Sequence, residues 1–345
     1  MDIKDLAGLS KPLEKFVDVV AKGVGGFSKS YLIRKNADAK AYEIRQLADA
    51  NKYKMQQQAE SLYEAQKLLG NIEIVKGKLV LSSPAEQNVL SLPKRIDDRK
   101  LYQEAKEQQN VEEITGIAAE ELAHEETVSS ESVEDDWIAR FFDAAQLISD
   151  EQMQVLWGKI LAGEIKQPHS YSLRTLELLR NISKIEAELF TKVAKIAIQS
   201  NAGAFVINPE NGKYLEDNFD ITFGHWLRLS ELGLISPQDL SRTHKKLDIS
   251  ATVVYLCGDM IVVVEKPADD PEYRFPIKLF TSIGTELVSL VNKEMPETYI
   301  HKFASMVKQN NAKVTYGKII GIAPDGLITH TDLQEFDFGS SDSAK

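Results

Sequence analysis

"TVVYLCGDMIVVVEK", residues 252–266, is the stretch that decides what kind of protein this is. Two apolar runs rich in β-branched residues flank Gly258 and Asp259, and such a pair between such runs reads as a two-residue turn joining antiparallel strands. The rear of the chain therefore carries sheet. The runs "VVYLC" and "IVVV" are far too short to span a bilayer. Cys257, the only cysteine, has no partner for an intramolecular disulfide and no second thiol for a zinc site, so it reads as a buried strand residue.

Working outward, "FGHWLRLSELGLIS" (223–236) is a helix that stops at Gly233 and releases Leu234 and Ile235 as a buried extended pair. On the other side, "FPIKLFTSIGTELVSLV" (275–291) is a strand that enters a helix through Thr281 and Ser282. Helix, "LGLI", hairpin and "LFTSIGTEL" together resemble a winged helix over about seventy residues, with a longer interval between Ile235 and Leu279 than that fold usually has. The resemblance implies that the helix carrying Trp226 enters a DNA groove, with His225, Arg228, Arg242, Lys245 and Lys246 as candidate nucleic-acid contacts. The competing reading makes "RTHKK" (242–246) a solvated loop face. "ETYIHKFASMVKQNNAKVTYGKIIGI" (297–322) reads as helix then strand, and residues 331–345 as a tail.

Before this unit, "WIARFFDAAQLI" (137–148) places Trp137, Phe141, Ala145 and Ile148 on one helical face. "SDEQMQVLWGKILAG" (149–163) reads as a helix capped by Ser149 and Gln152 and stopped by Gly163. "SKIEAELFTKVAKIAIQS" (183–200) repeats the device with Ser183 and Glu186, so residues 137–200 read as a helical bundle with Trp137 and Trp157 in its core. Within it, "QPHSYSLRTLELL" (167–179) places Arg174 in a helix's first turn, where the backbone dipole is positive. His169, Ser170, Ser172, Arg174 and Thr175 could form an anion site there, or Arg174 could pair with Glu151 or Glu164 of the preceding helix.

The front is different in kind. In residues 10–33, Leu13, Phe16, Val17, Val20, Val24, Phe27 and Tyr31 fall on one helical stripe, with lysines beside it. Such a stripe can pack on protein, mediate self-association, or lie on a membrane surface. Residues 35–69 contain no Gly or Pro and read as a long helix, either a coiled coil with Asn51 and Gln58 in its seam or a solvated connector. "IEIVKGKLVLS" (72–82) suggests a short hairpin within a connector, residues 70–103. Residues 104–136 hold twelve carboxylates and one lysine, which predicts a self-repelling, flexible acidic linker.

The net charge of −11 is concentrated in that middle region, so phosphate-driven binding to nucleic acid is disfavoured for the body of the protein. "MDIKDLAGLSK" lacks a signal-peptide pattern, which predicts a cytoplasmic, at most membrane-peripheral, location. No glycine-rich phosphate loop, "HExxH" or "GxSxG" occurs, and "HKKLD" (244–248) has no partner identifiable by spacing. No motif therefore predicts a catalytic residue, metal site or cofactor, which leaves an enzyme only the route of a site assembled from scattered residues.

The block from "DDWIARFF" through "LWGKILAGEI" and "SLRTLELL" resembles an uncharacterised bacterial domain-of-unknown-function family (2806), and more distantly the alpha group of abortive-infection proteins. The resemblance implies a bacterial or prophage-borne protein with a place in phage defence, and brings no catalytic residues. The expected architecture is α+β and mostly helical: N-terminal helices (1–69), connector (70–103), acidic linker (104–136), helical bundle (137–200), winged-helix-like α+β unit (201–330) and tail (331–345). The expected function is a non-enzymatic interaction or sensing module that self-associates through its N-terminal helices or docks a protein partner. A DNA-binding regulator and a membrane-peripheral effector using residues 10–33 are the alternatives.

Overall fold

The computed structural model describes residues 10–24, 72–75, 78–81, 92–123, 125–322 and 327–337. The chain divides into two units, Met1–Pro168 and His169–Lys345. The long helix expected over 35–69 lies outside the described residues, as do Phe27 and Tyr31.

The first unit is helical. It contains α1 (Lys11–Val24), the antiparallel pair β1 (Ile72–Val75) and β2 (Lys78–Leu81), then α2 (Leu92–Ala123), α3 (Asp135–Ala145) and α4 (Glu151–Lys166). Its core joins Phe16, Val17 and Val20 of α1 to Ile114, Ala118 and Leu122 of α2, Trp137 and Phe141 of α3, and Trp157 and Ile160 of α4. Trp137 stacks on Phe141 at 5.0 Å, and Phe141 meets Trp157 at 5.3 Å. The middle of the amphipathic stripe, Phe16, Val17 and Val20, is thus covered by its own chain. Phe16 and Val20 are fully buried, while Leu13 and Val24 are half-buried.

The flexible acidic linker is also corrected, because residues 104–123 continue α2. The acid count predicted repulsion, yet the apolar residues recur every three or four positions (Val111, Ile114, Ala118, Leu122), while Glu113, Glu120 and Glu121 stay in solvent. Its buried Asn110 donates to the Gln146 carbonyl (2.7 Å) and accepts from Gln154 Nε2 (3.3 Å), fastening α2 to the turn between α3 and α4. Two helix limits move as well. Asp150, not Ser149, caps α4 by accepting from the Gln152 and Met153 amides, and the helix runs through Gly163 to Lys166 because Ile165 is still buried. The helices expected as one bundle over 137–200 fall in both units.

The second unit contains α5 (Leu173–Asn181), α6 (Lys184–Ala194), β3 (Ile198–Ser200), β4 (Gly203–Ile207), α7 (Lys213–Phe219), α8 (Phe223–Glu231), β5 (Leu240–His244), β6 (Ala251–Cys257) and β7 (Met260–Lys266). There follow β8 (Tyr273–Leu279), α9 (Ser282–Val288), α10 (Glu297–Val307), β9 (Lys313–Ile322), β10 (Ile328–His330) and β11 (Gln334–Glu335). The fold is α+β, with an antiparallel nine-stranded sheet ordered β10-β9-β7-β6-β3-β4-β8-β5 and β11 added to β9. Phe205, Tyr255, Phe275 and Phe303 form its aromatic core. The turn at Gly258 (φ 68°), the capping box of Ser183 with Glu186, the stop at Gly233 (φ 72°) and the Thr281 cap all occur where the residues predict them. The β6–β7 hairpin is not a projecting wing, however. β7 pairs along β9 from Met260↔Lys318 to Glu265↔Lys313, which places the hairpin inside the sheet.

Candidate functional site

The hairpin geometry exposes an unused edge. A two-residue turn makes Cys257 and Met260 a bonded pair, so by the antiparallel alternation Ala251, Val253 and Tyr255 also bond to β7. Thr252, Val254 and Leu256 then point their N–H and C=O groups the other way. On that side β3 pairs only at Gln199↔Leu256, because the chain turns back after Ser200 through Gly203 (φ 100°). On the side away from β7, Thr252 and Val254 have no ladder partner among the described residues, and both are exposed.

Two adjoining hollows follow this edge. One, of about 590 Å³, is bordered by the β3–β4 turn, Arg242, Thr252, Val254 and Ile328. The other, of about 120 Å³, is bordered by Arg242, His244, Lys245, Val253, Tyr255 and Lys266. Arg242 and Val253 border both, so the hollows lie side by side as a groove along β6.

A directed chain of hydrogen bonds lies beneath it. Tyr273 donates to the Val307 carbonyl (2.8 Å), which leaves its oxygen to accept from His244 Nδ1–H (2.9 Å). His244 Nε2 must then accept, and does so from Tyr255 at 2.6 Å, whose oxygen accepts from Arg242 Nε–H at 3.2 Å. One tautomer of a neutral imidazole satisfies every member. Burial, then the charges of Arg242 and Lys266, push the His244 pKa down to about 4. Burial also raises the Tyr255 and Tyr273 phenols above their ordinary range.

The charge is unbalanced. Arg242 lies 5.3 Å from the ring centres of both Phe205 and Tyr255. Lys266, 4% exposed, donates only to the carbonyls of His244 (3.1 Å) and Lys245 (2.6 Å). Among the described residues no carboxylate pairs with Arg242, Lys245 or Lys266. Buried cations usually have such a partner.

The other candidates separate. Lys246 pairs with Asp269 (3.1 Å). Arg228 is taken by Glu186 (2.7 Å) and Glu231, His225 Nδ1 accepts from the Thr222 amide, and Trp226 is buried. On α8 the Arg228 charge is therefore paired within the unit, while Phe223 and Leu227 remain exposed. At the start of α5 the anion is already part of the chain. Glu286 of α9 accepts from the Ser172 amide (2.8 Å), Ser172 Oγ (3.2 Å) and Thr175 Oγ1. Arg174 points to solvent with no partner among the described residues, and His169 (φ 69°) is exposed. Tyr255, Tyr273 and Lys266 have no marker in the sequence, and His244 enters it only within "RTHKK" and "HKKLD". The four lie on four different strands, and no local spacing says which strands adjoin.

A family model, described as a protein of unknown function (DUF2806), matches residues 94–304, more than half of the chain. The chain belongs to this family. No curated protein and no solved structure matches it. The DUF2806 span runs from the first turn of α2 into α10, so it contains Arg242, His244, Tyr255 and Lys266 but neither α1 nor β9–β11. Among the described residues, the DUF2806 chain has no group of three or more His, Cys, Asp or Glu placed to hold a metal ion. None of those residues forms a helix long and apolar enough to cross a membrane.

Proposed function

We propose that this protein is a non-enzymatic recognition or sensing module and that its binding surface is the groove beside β6, where it takes an anionic ligand. The observation that carries this reading is the pair Arg242 and Lys266, half-buried and buried respectively, with no carboxylate paired to them among the described residues. An anion entering the groove gains charge-assisted hydrogen bonds from the unused guanidinium nitrogens and displaces little protein structure. No proton-transfer group is poised there at neutral pH, since His244 is held neutral with both nitrogens bonded and Tyr255 is pushed upward. Self-association through the α1 stripe gains no support from Phe16, Val17 and Val20, which are already buried, and DNA reading through α8 gains none from an Arg228 paired with Glu186.

The test follows the backbone amide signals of Ser241 and Thr243, which flank Arg242, by NMR during titration with inorganic phosphate and with acetate. A saturable shift in the wild type that is lost in Arg242→Gln supports the reading. An unresponsive signal at high ligand concentration ends it.

A further inference from the structure

The groove has a second property that a simple anion pocket does not need. Thr252 and Val254 offer two N–H and two C=O groups in the alternating order of a sheet edge, about 7 Å apart along the strand. A phosphate or a carboxylate can use the donors but not the carbonyls, whereas another extended backbone satisfies both kinds of group at that spacing. We infer that the ligand is an extended acidic peptide that adds to the free edge of β6 as a strand, continuing the line that β3 abandons at Ser200. This rests on the proposed anion-binding reading and names its ligand class.

Three observations fix the occupant. The edge is bordered by a hollow of about 590 Å³ open beside Thr252 and Val254, so space exists for a few residues in extended form. Arg242, Lys245 and Lys266 flank one end with no carboxylate paired to them among the described residues, so acidic side chains on the added strand are matched and basic ones repelled. A second copy of the same edge is a poor occupant, because pairing β6 with β6 brings two such cationic ends onto one interface. The inserted strand runs antiparallel to β6, as β3 does, with alternate side chains directed to the Arg242 side.

The experiment uses the full chain and a fluorescein-labelled octapeptide, (Val-Glu)4. Three further arms are (Val-Lys)4, a (Val-Glu)4 N-methylated at every second residue in either phase, and inorganic phosphate as competitor. The expected result is saturable binding of (Val-Glu)4, slowed amide exchange at Thr252 and Val254, and no binding of (Val-Lys)4. The N-methylated phase that removes the donors facing β6 should bind about tenfold or more weakly, since the carbonyls of Thr252 and Val254 then lose their bonds. Equal binding by both N-methylated phases and the parent, or unchanged exchange at Thr252 and Val254, overturns strand addition while leaving the anion site standing if phosphate still competes. Failure of (Val-Glu)4 to bind at millimolar concentration overturns strand addition too. An Arg242→Gln protein that keeps full peptide affinity overturns the anion reading beneath it.

Discussion

His244 is the residue whose chemistry the fold constrains most tightly. Tyr273 spends its proton on Val307, so the imidazole must keep hydrogen on Nδ1 and remain an acceptor at Nε2. Its pKa falls to about 4 in the folded protein against an ordinary value near 6.5. Between those values the unfolded chain binds a proton that the folded chain refuses, so this group's contribution is full above about pH 6.5 and is lost as pH falls towards 4. Linkage puts the loss on the order of 2–3 kcal/mol. Urea midpoints of the wild type and of His244→Gln, measured from pH 7 to 4, should diverge by a steeper wild-type decline; parallel curves would refute the neutral tautomer. A second pair of residues separates a committed charge from an idle one. Glu286→Ala strips three donors at the start of α5 and should cost about 2 kcal/mol. Arg174→Ala should fall within about 0.5 kcal/mol of wild type in the same denaturation assay.

At the scale of elements, local signals and non-local ones part company. The turn at Gly258, the Ser183–Glu186 capping box and the stop at Gly233 were legible because each is decided by residues within one or two turns of chain. α2 is not legible in the same way, because a count of carboxylates ignores which face carries them: half of the helix lies in solvent and the other half buries one stripe. Where α2 crosses α4 the helices approach at Gly158, and a Cβ there would stand 2.6 Å from Ile117 Cγ2 and 2.7 Å from its Cβ. Alanine is the better helix former by about 1 kcal/mol, but atoms fixed that near the backbone cannot swing aside. Gly158→Ala should therefore lower stability by about 1–3 kcal/mol. A raised melting temperature in that variant would show that the crossing is looser than described. The groove belongs to the same lesson. Arg242 and Lys245 were visible as cations, but their meeting with Tyr255 and Lys266 depends on how β5 and β6 are brought together, which no local spacing encodes.

For the whole molecule, the decisive matter is where apolar surface goes. A stripe of Phe16, Val17 and Val20 beside lysines can serve a membrane, a second copy or the chain's own interior, and its periodicity is the same in all three. Its burial against α2, α3 and α4 makes it part of what holds the first unit together. Phe16→Asp then removes a fully buried ring and places a charge in its site, a loss of about 4 kcal/mol or more. An interfacial helix would respond otherwise, losing vesicle binding while the rest of the fold kept its stability. Flotation with anionic vesicles and thermal unfolding, run on the same two proteins, distinguish the cases. The burial predicts that neither wild type nor variant floats through this stripe and that the variant unfolds at much lower temperature. Wild-type flotation abolished by Phe16→Asp, with the melting temperature unchanged, would restore the stripe as a docking face and leave the β6 groove without its priority.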